Sequence, residues 1–215
     1  MQVDTVIFDL DGTLIDSALS IKSSLKAAFA DIGIEQKKPI TTSLIGPPLM
    51  EIMLALVVES DIKAVPYLIE SFKHYYDDIG YKETIAYEGV FETLINLNRN
   101  GLSLYIATNK RILPTKKIIH HLGWEELFVN VFSLDYFSPS LKNKTTMLRV
   151  INSMLPGKSV SRVYVGDRAE DAEASRKNDI CFLWAKWGYS LISESIEGCK
   201  TLEKPDELIP ILLNV

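Results

Sequence analysis

The chain has 215 residues, of which 47% are hydrophobic and 24% charged, a composition typical of a globular protein that buries a core without disulfides. Its formal net charge of -5 argues against a broad basic surface for nucleic acid or anionic lipid. Its two cysteines, Cys181 and Cys199, lack metal-ligand spacing, and no apolar stretch reaches the length of a membrane span or forms a secretion signal. We therefore expect a cytoplasmic protein that binds neither membrane nor nucleic acid.

The N-terminal part of the chain predicts one strand followed by helices alone. Residues 3–8 form a short β-branched and aromatic run, which indicates a buried strand. After Ser17 the apolar residues recur at helical spacing up to Gly33, a favourable helix stop. Two further helices are predicted at 48–58 and 61–79, the second with Ser60 as its N-cap. Because no strand pattern interrupts residues 17–83, this block is a candidate inserted domain.

From Gly89 onward, helical and strand patterns alternate, which predicts a parallel sheet with helices on both faces. We therefore expect a Rossmann-like α/β core made of residues 1–16 and 84–215, with the all-helical domain 17–83 inserted after the first strand. The predicted elements, in chain order, are a helix from Val90 to about Gly101, a strand at 102–107, a helix at 114–122, a strand at 129–134, a helix at 144–155, a strand at 160–165, a helix at 167–177, a strand at 180–184 and a helix after Pro205.

Polar residues follow several of the predicted strands at the point where each strand ends. In open α/β sheets, ligands bind at the carboxyl ends of the strands, so residues far apart in sequence converge there on one pocket. The residues that share this placement are Asp9, Asp11, Thr108, Asn109, Asp167 and Asp171.

Asp9 and Asp11 carry the strongest signal in the chain. Two carboxylates at the end of an apolar strand are costly unless a cation or another partner satisfies them. Magnesium suits the pair, since it is held by one or two carboxylates together with phosphate oxygens and water. Gly12 permits a tight turn, and Thr13 adds a hydroxyl that could fix it. The alternative is a plain Asp-Gly turn with an accidental second carboxylate.

These segments resemble the motifs of the haloacid dehalogenase superfamily over nearly the whole chain. Within it, the likeness is to phosphoglycolate phosphatase-like members. The matching segments are 9–17 (DLDGTLIDS), 107–110 (ATNK) and 165–171 (VGDRAED) for the first, second and fourth motifs, and 45–49 (IGPPL), 87–90 (YEGV) and 108–110 (TNK) for the subgroup.

The resemblance implies a magnesium-dependent phosphatase that hydrolyses a small phosphomonoester, of the phosphoglycolate type or a sugar phosphate. Asp9 would be the nucleophile that forms an aspartyl-phosphate, and Asp11 the acid and base for the leaving group and for water. The metal ligands would be Asp9, Asp11, Asp167 and Asp171. Asp167 and Asp171 taken alone favour helix capping, and the metal interpretation prevails only together with Asp9 and Asp11.

Three further site assignments follow from the same resemblance. Thr108 and the backbone N–H of Asn109 would bind phosphate oxygens, although a Thr-Asn pair after a strand is also typical of a plain turn. Gly46 would bring backbone of the helical domain close to substrate, although Gly-Pro-Pro is equally a helix start. The third motif needs a lysine before a helix, for which Lys144 is favoured over Lys142 from the direction of first-turn side chains.

Two other functions remain open at this point. A phosphomutase of the beta-phosphoglucomutase type would use the same motifs and a similar helical lid. A non-catalytic α/β module that merely accepts phosphate on an aspartate is a different class, but it would lack the helical insertion. For the leading hypothesis the partner is a small-molecule phosphate ester, and the protein is expected to be a monomer or a homodimer.

Overall fold

The computed structural model describes residues 3–157, 161–190 and 196–213. The strands are β1 (Thr5–Phe8), β2 (Ile15–Asp16), β3 (Ile85–Ala86), β4 (Ser103–Thr108), β5 (Asn130–Ser133), β6 (Arg162–Gly166), β7 (Cys181–Ala185) and β8 (Lys200–Leu202). The α-helices are α1 (Ala18–Ile32), α2 (Leu49–Leu56), α3 (Val65–Asp78), α4 (Val90–Arg99), α5 (Ile112–His121), α6 (Lys144–Met154), α7 (Ala169–Arg176) and α8 (Leu208–Leu213).

In the described part of the chain, six strands form one parallel sheet in the order β5-β4-β1-β6-β7-β8. Alternate residues of β1 enter the apolar cores on its two faces: Val6 and Phe8 enter one, and Ile7 the other. Phe8 pairs with Ile106 of β4 and with Val165 of β6, so these three strands end at the same edge. The predicted α/β fold with a parallel sheet is confirmed.

The helices α1, α2 and α3 form a block with an apolar core of its own. Leu25 and Phe29 of α1 meet Met53 of α2 and Leu68 of α3 in that core. α1 ends as predicted at Gly33, which has a φ of 75° and donates its N–H to Phe29 O. The antiparallel pair β2 and β3 stands where the chain leaves the sheet for this block and returns from it.

Several element boundaries differ from prediction. The third helix begins at Val65 and not at 61, and Ser60 is not its N-cap, because residues 59–64 form a 3-10 helix. Pro66 in the first turn explains this start, since proline lacks an N–H and suits the positions where none is needed. The strand predicted from residue 160 begins at Arg162, and residue 160 lies outside the described residues. No helix in the described ranges is both long and apolar enough to cross a bilayer.

Candidate active site

The carboxyl ends of β1, β4 and β6 bring the predicted site residues together at one edge of the sheet. Asp9 follows β1, Thr108 ends β4 and Asp167 follows β6. Lys144, the first residue of α6, reaches the same edge. All four side chains are buried, so the charges of Asp9, Asp167 and Lys144 are held largely out of water.

Three of the carboxylates form a cluster, here called the carboxylate triad: Asp9, Asp167 and Asp171. Each offers an oxygen within 4.8 Å of the others, and Asp9 is 3% exposed while the other two are fully buried. Asp167 Oδ2 accepts the backbone N–H of Tyr189 at 2.7 Å, and Asp171 Oδ2 accepts that of Arg168 at 3.0 Å. The bond from the Arg168 N–H to Asp171 caps the start of α7, so Asp171 is both a helix-capping residue and a member of the triad.

Glycines let the backbone approach the triad closely. Gly12 has a φ of 85°, and a Cβ there would overlap the Asp167 carboxylate. A Cβ on Gly188 would meet Asp167 Oδ2 at 2.7 Å, and one on Gly166 would meet Asp171 Oδ2 at 2.5 Å. Since real Cβ contacts are not that short, any side chain at these positions would displace the carboxylates.

Lys144 is the lysine that the fold brings to the triad. Its Nζ donates to Asp171 Oδ1 at 2.5 Å and lies 3.2 Å from Asp9 Oδ1. Lys142 is exposed. Burial alone would lower the pKa of Lys144, but Asp171 and Asp9 together hold that pKa well above its usual value.

Among the described residues, one ammonium group faces the three carboxylates of the triad, so full ionisation of the triad would leave excess negative charge. Burial, opposed by Lys144 but reinforced by Asp171 and Asp11, raises the pKa of Asp9 to about 7. Burial and the neighbouring Asp171 and Asp9 also raise the pKa of Asp167. Among the described residues, no hydrogen bond of normal geometry reaches the buried Asp9 Oδ1. A buried carboxylate oxygen that lacks a hydrogen bond, although it lies 3.2 Å from Lys144 Nζ, suits a hard divalent cation when other carboxylates surround it.

Asp11 lies beside the triad but faces elsewhere. Its carboxylate accepts bonds from Lys110 Nζ at 2.9 and 3.2 Å and from the Ser17 hydroxyl. It does not contribute to the cluster of candidate metal-ligand atoms found within the described residues. The Asp11 side chain therefore contacts Lys110 and Ser17 in this structure, and its assignment as a metal ligand stays a prediction.

Thr108, Asn109 and Gly46 meet where the helical block touches the sheet. Thr108 Oγ1 accepts the backbone N–H of Lys110 at 3.2 Å, and Asn109 Nδ2 donates to Gly46 O at 3.0 Å. Asn109 Oδ1 is buried and has no hydrogen-bond partner among the residues described. Gly46 and Asn109 line a cleft whose lining also includes Asp11.

That cleft runs between the helical block and the sheet. The sheet side is polar and the block side apolar, with aromatic rings from α3. Its lining includes Asp11, Asn109, Lys110 and Arg111 on the first side, and Ile45, Ile52, Phe72 and Tyr76 on the second. A small molecule bound there would place one end against Asp11.

A family model described as "Haloacid dehalogenase-like hydrolase" matches residues 6–185, a range that contains Asp9 through Asp171. The chain belongs to this family. The resemblance predicted from the motifs, including the likeness to phosphoglycolate phosphatases, is thereby confirmed.

Several known proteins resemble the chain over most of its length. The phosphoglycolate phosphatase of Aquifex aeolicus is 28% identical over 210 residues, which cover 97% of this chain and 96% of that protein. The tyrosine-protein kinase PtkA of Mycobacterium bovis is 30% identical over 185 residues, and the chain spans only 62% of its length. The crystal structure of a predicted phosphatase from Clostridium acetobutylicum superimposes with a TM-score of 0.85 at 27% identity, over the whole of both chains.

The structure brings to the site further residues that the sequence analysis does not assign to it. Lys110 and Ser17 contact Asp11, while Tyr189 holds Asp167. Lys110 and Ser17 lie inside the motif segments 107–110 and 9–17, so their sequence positions could have indicated that they belong to the site. Tyr189 lies outside the motifs, and only the fold brings it to Asp167.

Proposed function

We propose that this chain is a magnesium-dependent phosphatase that hydrolyses a small phosphomonoester, of the phosphoglycolate type or a sugar phosphate. The observation that carries the proposal is the buried Asp9 carboxylate, whose Oδ1 lacks a hydrogen bond among the described residues and lies 3.2 Å from Lys144 Nζ. A buried nucleophile that has one lysine as its neighbouring cation among the described residues is arranged to receive a further cation and an anionic group.

In the proposed first step, an Asp9 oxygen attacks phosphorus while the bond from phosphorus to the ester oxygen breaks, giving an aspartyl-phosphate and an alcohol. Asp11 gives its proton to the departing oxygen. Two charges of the same sign at about 4 Å repel by roughly 4 kcal/mol at an effective dielectric of 20. Lys144, which lies 3.2 Å from Asp9, offsets part of this repulsion.

In the second step, Asp11 accepts a proton from a water molecule that attacks the phosphorus of the aspartyl-phosphate, and the bond from phosphorus to Asp9 breaks. Inorganic phosphate leaves and Asp9 is restored. Lys110 and Ser17 hold the Asp11 carboxylate on the cleft side, which supports its use as the acid and base. The Thr108 hydroxyl and the backbone N–H of Asn109 are proposed to bind phosphate oxygens.

Asp9, Asp167 and Asp171 would hold the magnesium ion, which would supply positive charge to the phosphate when bound. Asp11 was also expected as a ligand, but the direction of its carboxylate favours the proton-transfer role.

We further propose that residues 17–83 act as a lid domain that excludes water from the cleft. The expected cytoplasmic setting agrees with Cys181 and Cys199 both being free.

Phosphate release from p-nitrophenyl phosphate, phosphoglycolate, hexose 1-phosphates, nucleotides and pyrophosphate tests the proposal. Asp9→Asn should lower kcat by at least about 10,000-fold, as loss of a nucleophile does, and chelation of the metal should abolish turnover. Lys144→Met should lower kcat about 100-fold or more, whereas the matched Lys142→Met should leave it unchanged. Undiminished activity in Asp9→Asn would refute the mechanism.

The same assay separates the other functions. Rapid isomerisation of a hexose 1-phosphate with negligible phosphate release would assign a mutase in place of a phosphatase. Stable phosphorylation of Asp9 without turnover would assign the phosphate-accepting module. Transfer from ATP to a tyrosine-containing peptide would assign the activity named for the mycobacterial relative.

A further inference from the structure

In sequence, Arg168 lies between the triad residues Asp167 and Asp171, but its side chain points away from them and contacts the helical block. Its guanidinium donates to Ile45 O at 2.7 Å and to Ser43 O at 3.4 Å. Both carbonyls belong to the segment 43–46, here called the docking segment. An arginine fork that holds two backbone oxygens fixes both the position and the direction of a segment.

Gly46, at the end of the docking segment, makes room for this arginine. It has a φ of 122°, and a Cβ there would lie 2.6 Å from Arg168 Cδ and 3.1 Å from Arg168 Nε. The Gly46 carbonyl meanwhile accepts Asn109 Nδ2 at 3.0 Å. The docking segment is therefore held from two sides by residues that follow β4 and β6.

The docking segment also forms part of the cleft wall. Ile45 and Gly46 line the same cleft as Asp11 and Asn109. Any movement of the segment away from Arg168 would thus open the cleft at its reactive end. By contrast, the Arg168 backbone N–H bonds Asp171, and substitution of the side chain leaves that bond in place.

We propose that Arg168 is a positioning residue whose guanidinium holds the docking segment, and with it the helical block, closed over bound substrate. The expected change in KM rests on the proposed phosphatase function, whereas the expected hold of Arg168 on the docking segment does not. Arg168 is distinct from the triad in function: it sets the affinity for substrate, while the triad and Lys144 carry the chemistry.

The test compares Arg168→Met with Arg176→Met, which alters an exposed arginine at the end of the same helix. We expect KM to rise about 10-fold or more in Arg168→Met, the effect of losing a charged hydrogen bond, with kcat within about threefold of wild type. Arg168→Lys, which retains one charged donor, should show an intermediate KM. Guanidinium ion added to Arg168→Ala should lower its KM again, an effect that a purely structural role would not produce.

Hydrogen exchange measured without substrate tests the docking independently of activity. In Arg168→Met the amides of Leu44 and Ile45 should exchange faster, while those of β4 and β6 and the magnesium dependence of the Tm stay unchanged. Unchanged exchange at Leu44 and Ile45 together with an unchanged KM would overturn the proposal. Faster exchange centred on 167–171 would overturn it too, because it would assign Arg168 to the stability of its own loop. If the wild-type protein releases no phosphate, the proposed phosphatase function fails, but the exchange measurement still shows whether Arg168 holds the docking segment. Failure of the function and failure of the role of Arg168 are therefore distinguishable.

Discussion

At Asp9, stability and the proposed function oppose each other. Burial raises the pKa of this carboxyl from 3.8 to about 7, while the proposed attack on phosphorus needs the ionised form. Because the folded-state pKa lies above the unfolded one, the folded protein binds this proton more tightly. The resulting stability is fully present below about pH 4 and is lost as pH rises towards 7.

Asp9→Asn should therefore stabilise the metal-free protein at neutral and alkaline pH, because asparagine cannot ionise. We expect the Tm in EDTA to exceed that of wild type at pH 8 by at least about 2–4 °C, the shift that ~1 kcal/mol produces in a chain of this size. The difference should shrink towards pH 4. Thermal unfolding followed by circular dichroism across this range measures it.

The control is Asp78→Asn, which alters an exposed aspartate at the end of α3. Its Tm should follow wild type at every pH. Magnesium should raise the Tm of wild type more than that of Asp9→Asn, since the variant offers one charged ligand fewer. Identical Tm values for Asp9→Asn and wild type throughout the pH range would contradict the electrostatic argument.

At the scale of elements, the end of α1 isolates a backbone effect from packing. Gly33 adopts a φ of 75°, and its N–H caps the helix by bonding Phe29 O at 3.0 Å. A Cβ at this position would meet no atom within 4 Å. Any cost of a side chain there comes from the left-handed conformation itself and not from a clash.

Gly33→Ala should lower the free energy of unfolding by about 1 kcal/mol, whereas Gly33→Asn should lose less, because asparagine tolerates this conformation better. Urea unfolding at equilibrium measures both values. Neither variant should change kcat, since Gly33 lies at the opposite end of the 15-residue helix α1 from Ser17, which contacts Asp11. An alanine variant as stable as wild type would mean that the helix end rearranges.

The long elements followed from sequence, and the short ones did not. The periodic apolar residues of α1 and the alternation after Gly89 predicted the helical block and the parallel sheet. The strands β2, β3 and β8 span two or three residues each, too few to show a period. The start of α3 was misplaced because Ser60 is a favourable cap, while the local preference of Pro66 for a first turn prevailed.

The site was predictable where residues follow strands, because the carboxyl ends of parallel strands meet. Asp9, Thr108 and Asp167 were placed together for that reason. The direction of side chains was not predictable: Asp11 shares a strand end with Asp9 yet turns to Lys110. The reach of Arg168 to Ile45 depends on the position of the helical block, which no local pattern encodes.

At the scale of the whole molecule, the position of the helical block relative to the sheet depends on further polar contacts besides those of Arg168. Arg111 binds the Asp77 carboxylate of α3 through two nitrogens, at 2.9 and 2.5 Å, and Lys117 donates to Asp77 O at 2.7 Å. The Arg111 and Asp77 side chains are 21% and 14% exposed, so water screens their attraction only in part. A two-point pair of this kind constrains orientation more than a single contact does.

If this pair holds the block closed, its two residues should act as one unit. Arg111→Met, Asp77→Ala and the double variant should raise KM by similar factors, with a coupling energy of about 0.5–1.5 kcal/mol, because either single change already breaks the pair. Added salt should raise the KM of wild type towards that of the variants. The control is the exposed pair formed by Glu173 of α7 and Lys177, the residue that follows this helix, whose removal should leave KM unchanged. Additive effects of the two single changes would show that Arg111 and Asp77 contribute to KM separately, which would contradict the prediction.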